Sequence, residues 1–249
     1  MADMVGPIVE TGHRFAGLLR ELEPGDGDRR VPDMEWTVAE TAVHMLTIYR
    51  RAADPRRSPT LEGLAELNDV QIAEIKTRDV HALADAIEAH VGLLGRIGSV
   101  GAKLWTLRVG RWINVPLHMG LWADMPTASS YMLLDSLAHG DDIARGTGRT
   151  WDIPPDHAAL ALRTSLPALG TWVPHEMLNG PRQQVRFSFP GADYALSAEI
   201  GEGSYRVGPV IRDQTEVEVE PVHLFLAVTG RREPESGPAA RIAAWYQPI

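Results

Sequence analysis

Asp135-Ser136-Leu137-Ala138-His139 sets a carboxylate and an imidazole four residues apart inside a stretch of helical character. Residues at that spacing are neighbours on a helix face, with Cβ atoms roughly 5–6 Å apart. The pair can therefore grip one ion without distorting the backbone. Asp142 follows three residues later on the same stripe, where it can accept a hydrogen bond from a ligand imidazole. On an earlier helix His44 lies between Thr41 and Ile48, near the core-facing side, and supplies a third ligand if the two helices pack. Two histidines and one carboxylate form the donor set of several catalytic zinc sites and leave positions open for water or substrate. With a divalent ion such a site carries a net charge of about +1, which favours an incoming thiolate and lowers the pKa of a bound thiol.

Spacing alone leaves a second reading open, in which these residues are hydrogen-bonded or solvated polar groups beside an apolar stripe. Glu40 and His44 are also four apart, but Glu40 is accounted for by a capping box with Thr37, so it is left out of the ligand set. His81 and His90 are nine apart and cannot share a site on one helix. His13, His118, His157, His175 and His223 have no partner at ligand spacing and read as structural or surface residues. The chain has no cysteine, which excludes disulfides, thiolate ligands and an internal thiol nucleophile. Any thiol chemistry must use a small-molecule thiol.

The elements that position these residues are mostly helical. Apolar spacing predicts a helix over Ile8 to Glu23, ended by Pro24-Gly25. Thr37 and Glu40 open a second helix that runs to about Ala53. A third is expected from Pro59-Thr60 to Lys76, and a fourth from Asp79 to about Ile97, ahead of Gly98 and Gly101. Residues 101–122 lack a helical period and read as an ordered connection with extended character. Thr127 then caps the helix carrying Asp135 and His139, which Gly146 and Gly148 close. A further helix is expected from Asp156 to about Leu169. After roughly residue 180 the pattern alternates over Val185 to Phe189, Tyr194 to Ile200 and Tyr205 to Val207, with another strand at Thr215 to Val219 and a short helix at Val222 to Val228. This predicts a mainly α chain with an α+β end: a helical domain over residues 1–155 and a small domain with an antiparallel sheet over 156–249.

Charge narrows the partners. Lys and Arg total 24 against 33 Asp and Glu, a formal net charge of −9, and no basic face is evident. That argues against a phosphate backbone as ligand and so against nucleic acid. No apolar run approaches the ~18–20 residues of a membrane span, and the N-terminus lacks a basic and an apolar signal region. Together with the absence of cysteine this fits a cytoplasmic protein acting on a small molecule. Nothing in the sequence sets an oligomeric state.

Two stretches carry a family resemblance. Met34 to Leu46 (MEWTVAETAVHML) resembles the "GWTVxDLxxHL" signature of the mycothiol-dependent maleylpyruvate isomerase family, a branch of the DinB-like superfamily. Asp135 to Arg149, continuing into Trp151-Asp152-Ile153-Pro154, is similar to that family's "ExxxHxxDxARxxGR" segment. The resemblance implies a DinB-like four-helix bundle followed by a sterol-carrier-like α/β domain. It also implies a metal, usually zinc, held by His44, Asp135 and His139, with mycothiol as the thiol cofactor. Asp135 stands where the family has Glu, one methylene longer. The implied reaction is addition of a metal-bound thiolate to an electrophile such as maleylpyruvate, bond rotation, then elimination. A cationic residue should hold the substrate's carboxylates. The family's basic residue from its C-terminal domain corresponds loosely to Arg231 or Arg232, against the plainer reading of an exposed pair after Gly230. Asp142 and Arg145 tie the metal helix to its neighbours, and Trp36 packs at the helix entry. Two alternatives compete with the thiol-dependent isomerase or transferase. One is a thiol-independent metal enzyme on the same scaffold. The other is a non-catalytic bundle that binds a small ligand or partner with a weakened metal site.

Overall fold

The structure is a computed structural model that describes residues 4–53, 70, 72–106, 114–116, 122–210, 217–233 and 236–246. The chain divides into two compact units, Met1–Asp152 and Ile153–Ile249.

Four helices build the first unit: α1 (Val5–Arg20), α2 (Val38–Ala53), α3 (Val80–Thr106) and α4 (Met125–Thr147). Helix α3 packs on both α1 and α2, and α4 packs on the same two. Their apolar stripes meet in a core that includes Phe15 and Leu19 of α1, Val38, Met45 and Tyr49 of α2, Leu83 and Ile87 of α3, and Leu133 and Leu137 of α4, all buried. The start of α2 follows the predicted capping box: Glu40 Oε2 accepts from the Thr37 amide at 2.8 Å, and Thr37 Oγ1 accepts from the Glu40 amide at 3.2 Å. Helix α4 ends as predicted near Gly148, which adopts φ 70° while the Arg149 amide bonds back to the Ala144 carbonyl at 2.9 Å.

The structure departs from expectation in one place here and bears out the extended character of the connection that follows. Helix α3 runs through Gly98 and Gly101 to Thr106, because a single glycine costs a helix only about 1 kcal/mol and does not by itself stop one. Two short strands, β1 (Asn114–Pro116) and β2 (Trp122–Asp124), pair antiparallel before α4. Most of the helix expected over 59–76, and the rest of the 101–122 connection, lie outside the described residues.

In the second unit α5 (Pro155–Ser165) leads through a 3₁₀ segment to α6 (His175–Leu178). The sheet comprises β3 (Gln183–Ser188), β4 (Ala195–Gly201), β5 (Ser204–Val210) and β6 (Val217–Glu218), in the order β5-β4-β3-β6. Gly201 pairs with Ser204 across a two-residue loop, and Glu202 and Gly203 both have positive φ, 53° and 77°. A tight hairpin requires that backbone, and Gly203 supplies it at no steric cost. The sheet is not wholly antiparallel: β6 runs parallel to β3. Local alternation shows that a strand exists but not its direction. Helices α7 (Pro221–Val228) and α8 (Pro238–Ala243) complete the unit, with α7 packed on α5 and α8. Among the described residues no helix is long and apolar enough to cross a membrane.

Candidate functional site

Helices α2 and α4 meet along a seam whose contacts run in opposite chain senses, His44 against His139 and Tyr49 against Ser136. The two imidazoles are edge to face, with ring centroids 5.1 Å apart and planes at 84°. Each histidine is 7% exposed. His139 Nδ1 lies 2.9 Å from Asp142 Oδ2, the acceptor that the i, i+3 spacing predicts. A carboxylate at that nitrogen fixes the tautomer with the proton on Nδ1 and leaves the Nε2 lone pair available.

Asp142 is held in turn. The Arg145 guanidinium donates to its other oxygen at 3.0 Å, pairs with Asp141 at 3.0 Å and reaches Asp33 at 3.3 Å. Burial pulls the Arg145 pKa down, and the hydrogen bond to Asp142 with the charges of Asp141 and Asp142 more than reverses that. Asp33 sits at the tip of a loop that returns on itself through Val31–Trp36 and Val38–Arg29 backbone bonds, with an isolated bridge between Arg30 and Thr37. That loop carries Trp36. Its indole lies 4.9 Å from the His44 ring and 6.3 Å from the His139 ring. Trp36 therefore does more than pack at the helix entry: it lines the two imidazoles, on a loop that Arg145 ties to Asp142.

Below this layer Tyr49 and Ser136 fasten the seam. Ser136 Oγ donates to the Met132 carbonyl at 2.7 Å, so the Tyr49 hydroxyl is the donor in the 2.9 Å contact between them. Burial pushes the Tyr49 phenol well above its ordinary value of 10.0; the Ser136 hydrogen bond opposes that shift and the charge of Asp135 adds to it. The folded state thus keeps a proton that the unfolded chain releases above pH 10, so this contribution to stability is full below pH 10 and is lost as pH rises beyond it. Tyr49→Phe is expected to cost about 1–2 kcal/mol at neutral pH, because Ser136 loses its donor, and to flatten the decline in stability above pH 10. Denaturant titrations at neutral and alkaline pH check both; an unchanged alkaline slope would mean that Tyr49 does not set it.

Asp135 is half-buried on α4, one turn before His139, and its charge acts on Tyr49 and Arg51 of α2. The structure thus brings His44 and His139 into ring contact with Asp135 on the same seam. Among the described residues no three His, Asp or Glu side chains form a group drawn in around a single point. Arg231 and Arg232 belong to the second unit, in the turn after α7. Their amides bond to the Leu226 carbonyl, and the Arg231 guanidinium donates to the Thr229 carbonyl at 2.6 Å.

A small residue lets α4 carry this site close to its neighbour. A Cβ on Gly140 would fall 2.3 Å from the Trp151 ring, whose Nε1 donates to the Leu137 carbonyl at 3.1 Å. Trp151 thus braces the turn of α4 that holds His139.

Residues 9–144 match the family described as the mycothiol maleylpyruvate isomerase N-terminal domain. A crystal structure of the mycothiol-dependent maleylpyruvate isomerase shares the fold, with a TM-score of 0.50 and 18% identity over 92% of this chain and 88% of that one. The structure of a histidine-to-alanine mutant of that enzyme matches with the same values. No curated protein matches the chain by sequence. Because the match spans residues 9–144, more than half of the chain, and includes most of α1, all of α2 and α3 and nearly all of α4, the chain belongs to the family defined by the mycothiol maleylpyruvate isomerase N-terminal domain.

Proposed function

We propose that the protein is a thiol-dependent isomerase or S-transferase of a small electrophilic organic acid, with mycothiol as the thiol and His44, Asp135 and His139 as the holders of a divalent metal such as zinc. The observation that carries the reading is the contact of two buried imidazoles from different helices, one fixed by Asp142 so that a single nitrogen is left as donor. The donor types are those a divalent ion takes: two imidazoles, with a carboxylate one helical turn from one of them. A metal bound there supplies Lewis acidity and stabilises the thiol as thiolate at neutral pH.

The chain's own groups do the rest. Asp142 keeps His139 in one tautomer, and Arg145 keeps Asp142 in place. Trp36 covers one side of the imidazole pair and limits water there. The electrophile's carboxylates need a cation, for which Arg231 and Arg232 are the second unit's candidates. The fold suits a DinB-like bundle with a sterol-carrier-like second domain.

The reading is tested by metal per chain in protein purified without added metal or chelator, for wild type, His44→Ala and His139→Ala. The titration is paired with mycothiol binding with and without metal. Near-stoichiometric metal lost in both variants, with thiol binding that depends on it, is the expected result. Metal without thiol binding would favour a thiol-independent metal enzyme. No metal uptake on titration would overturn the proposal.

A further inference from the structure

Helix α2 carries a guanidinium that the imidazole pair does not use. Arg51 follows His44 by seven residues, which returns it to nearly the same helix face two turns later. Its side chain leans back toward the helix start, and Nε donates to the Thr47 carbonyl at 3.4 Å, the direction in which helical side chains point. The charge of Asp135, across on α4, acts on it. Arg51 is therefore on the seam that holds His44 and His139, not on the outer face of α2.

This cation is half-buried and under-used. A guanidinium has five N–H donors, and among the described residues only Nε makes a hydrogen bond, and a long one. The Arg145 and Arg20 guanidinia, by contrast, are engaged by carboxylates at 2.9–3.3 Å. A partly desolvated guanidinium with idle donors is stabilised by an anion that can meet two of them at once. Asp135 offsets part of its charge and leaves that fork unfilled. Burial lowers the Arg51 pKa from its usual value, but the group stays cationic at neutral pH, since arginine begins so far above it.

We propose that Arg51 is the residue that binds the ligand's carboxylate, placing the far end of a short organic acid at His44 and His139. Seven residues of helix separate the two Cα atoms by about 10.5 Å along the axis, at 1.5 Å per residue. The backward lean of Arg51 recovers about one turn, roughly 5 Å. The remaining gap suits an acid of a few carbons. The reactive end of this assignment rests on the function proposed above; the carboxylate contact does not.

Maleate is titrated calorimetrically into the full-length protein as purified, for wild type, Arg51→Gln, Arg51→Lys, and Arg231→Gln with Arg232→Gln. Dimethyl maleate, which lacks the charge, is titrated in parallel, and thermal melts report folding. Arg51→Gln is expected to weaken maleate binding at least tenfold and to leave the weak dimethyl maleate binding unchanged. Arg51→Lys is expected to fall between, keeping the charge and losing the fork, and it carries the test if Arg51→Gln does not fold. Equal maleate affinity in wild type and Arg51→Gln would overturn the proposal, as would no maleate binding by wild type, or a loss confined to the Arg231 and Arg232 variants. An Arg51-dependent maleate affinity in protein that takes up no metal would support this contact and overturn the metal reading alone.

Discussion

Asp142→Ala is expected to lower stability by about 2–4 kcal/mol and to release His139 from a single tautomer. Asp142 is 1% exposed and accepts from two groups, the His139 imidazole at 2.9 Å and the Arg145 guanidinium at 3.0 Å. Removing one partner of a buried charged pair usually costs 3–5 kcal/mol, because the other charge is stranded. Arg145 is largely exposed and keeps Asp141 and Asp33, so its share of that penalty is smaller. His139 has no such reserve within the network: its Nδ1 proton loses a buried acceptor. Asp142→Asn separates the two contributions. It preserves the volume and one acceptor oxygen but can no longer serve both donors. Denaturant midpoints at unchanged slope measure the cost, and the ¹⁵N shifts of the His139 ring report the tautomer. Wild-type stability together with an unshifted ring would show that Asp142 does not hold the imidazole.

Much of this arrangement is legible in the sequence because helices encode their neighbours locally. Thr37 and Glu40 announce the start of α2 through the reciprocal spacing of a capping box, which the structure forms. The i, i+3 relation of His139 and Asp142 becomes a hydrogen bond once α4 forms. Its boundaries differ by two residues at each end from the expected Thr127 and Arg145. What stays hidden is whatever depends on a second element. Trp36 reads as an apolar residue before a helix; only the return of the loop from Arg30 to Thr37 lays it against both imidazoles. The spacing of Arg51 from His44 is visible in the sequence, yet its meaning appears only when Asp135 faces it from α4. The direction of β6 is hidden for the same reason, since alternation is identical in parallel and antiparallel strands. The link from Arg145 to Asp33 spans 112 positions, and no periodicity reports it.

Asp135 is where the sequence departs from its family resemblance, and a series at that position decides what the shorter side chain does. Its charge acts on Arg51 across the seam, while His139 follows one turn later on the same helix. The Asp side chain reaches less far by one methylene than the Glu of the family pattern. Asp135→Glu is therefore expected to tighten zinc binding about tenfold, equivalent to ~1.4 kcal/mol, by carrying the carboxylate toward the imidazoles. With Asp135 a ligand as proposed above, Asp135→Ala is expected to weaken it by a hundredfold or more, since the site would lose both that ligand and the negative charge that balances Arg51. That loss should exceed the 10–100-fold typical of residues that only support a ligand. Competition against a chromophoric chelator measures all three affinities. If Asp135→Ala binds zinc as wild type does, Asp135 is the counter-ion of Arg51 and not a ligand. If Asp135→Glu binds more weakly than wild type, the site has adapted to the shorter carboxylate, and the pull of Arg51 on it is part of how the ligand set is built.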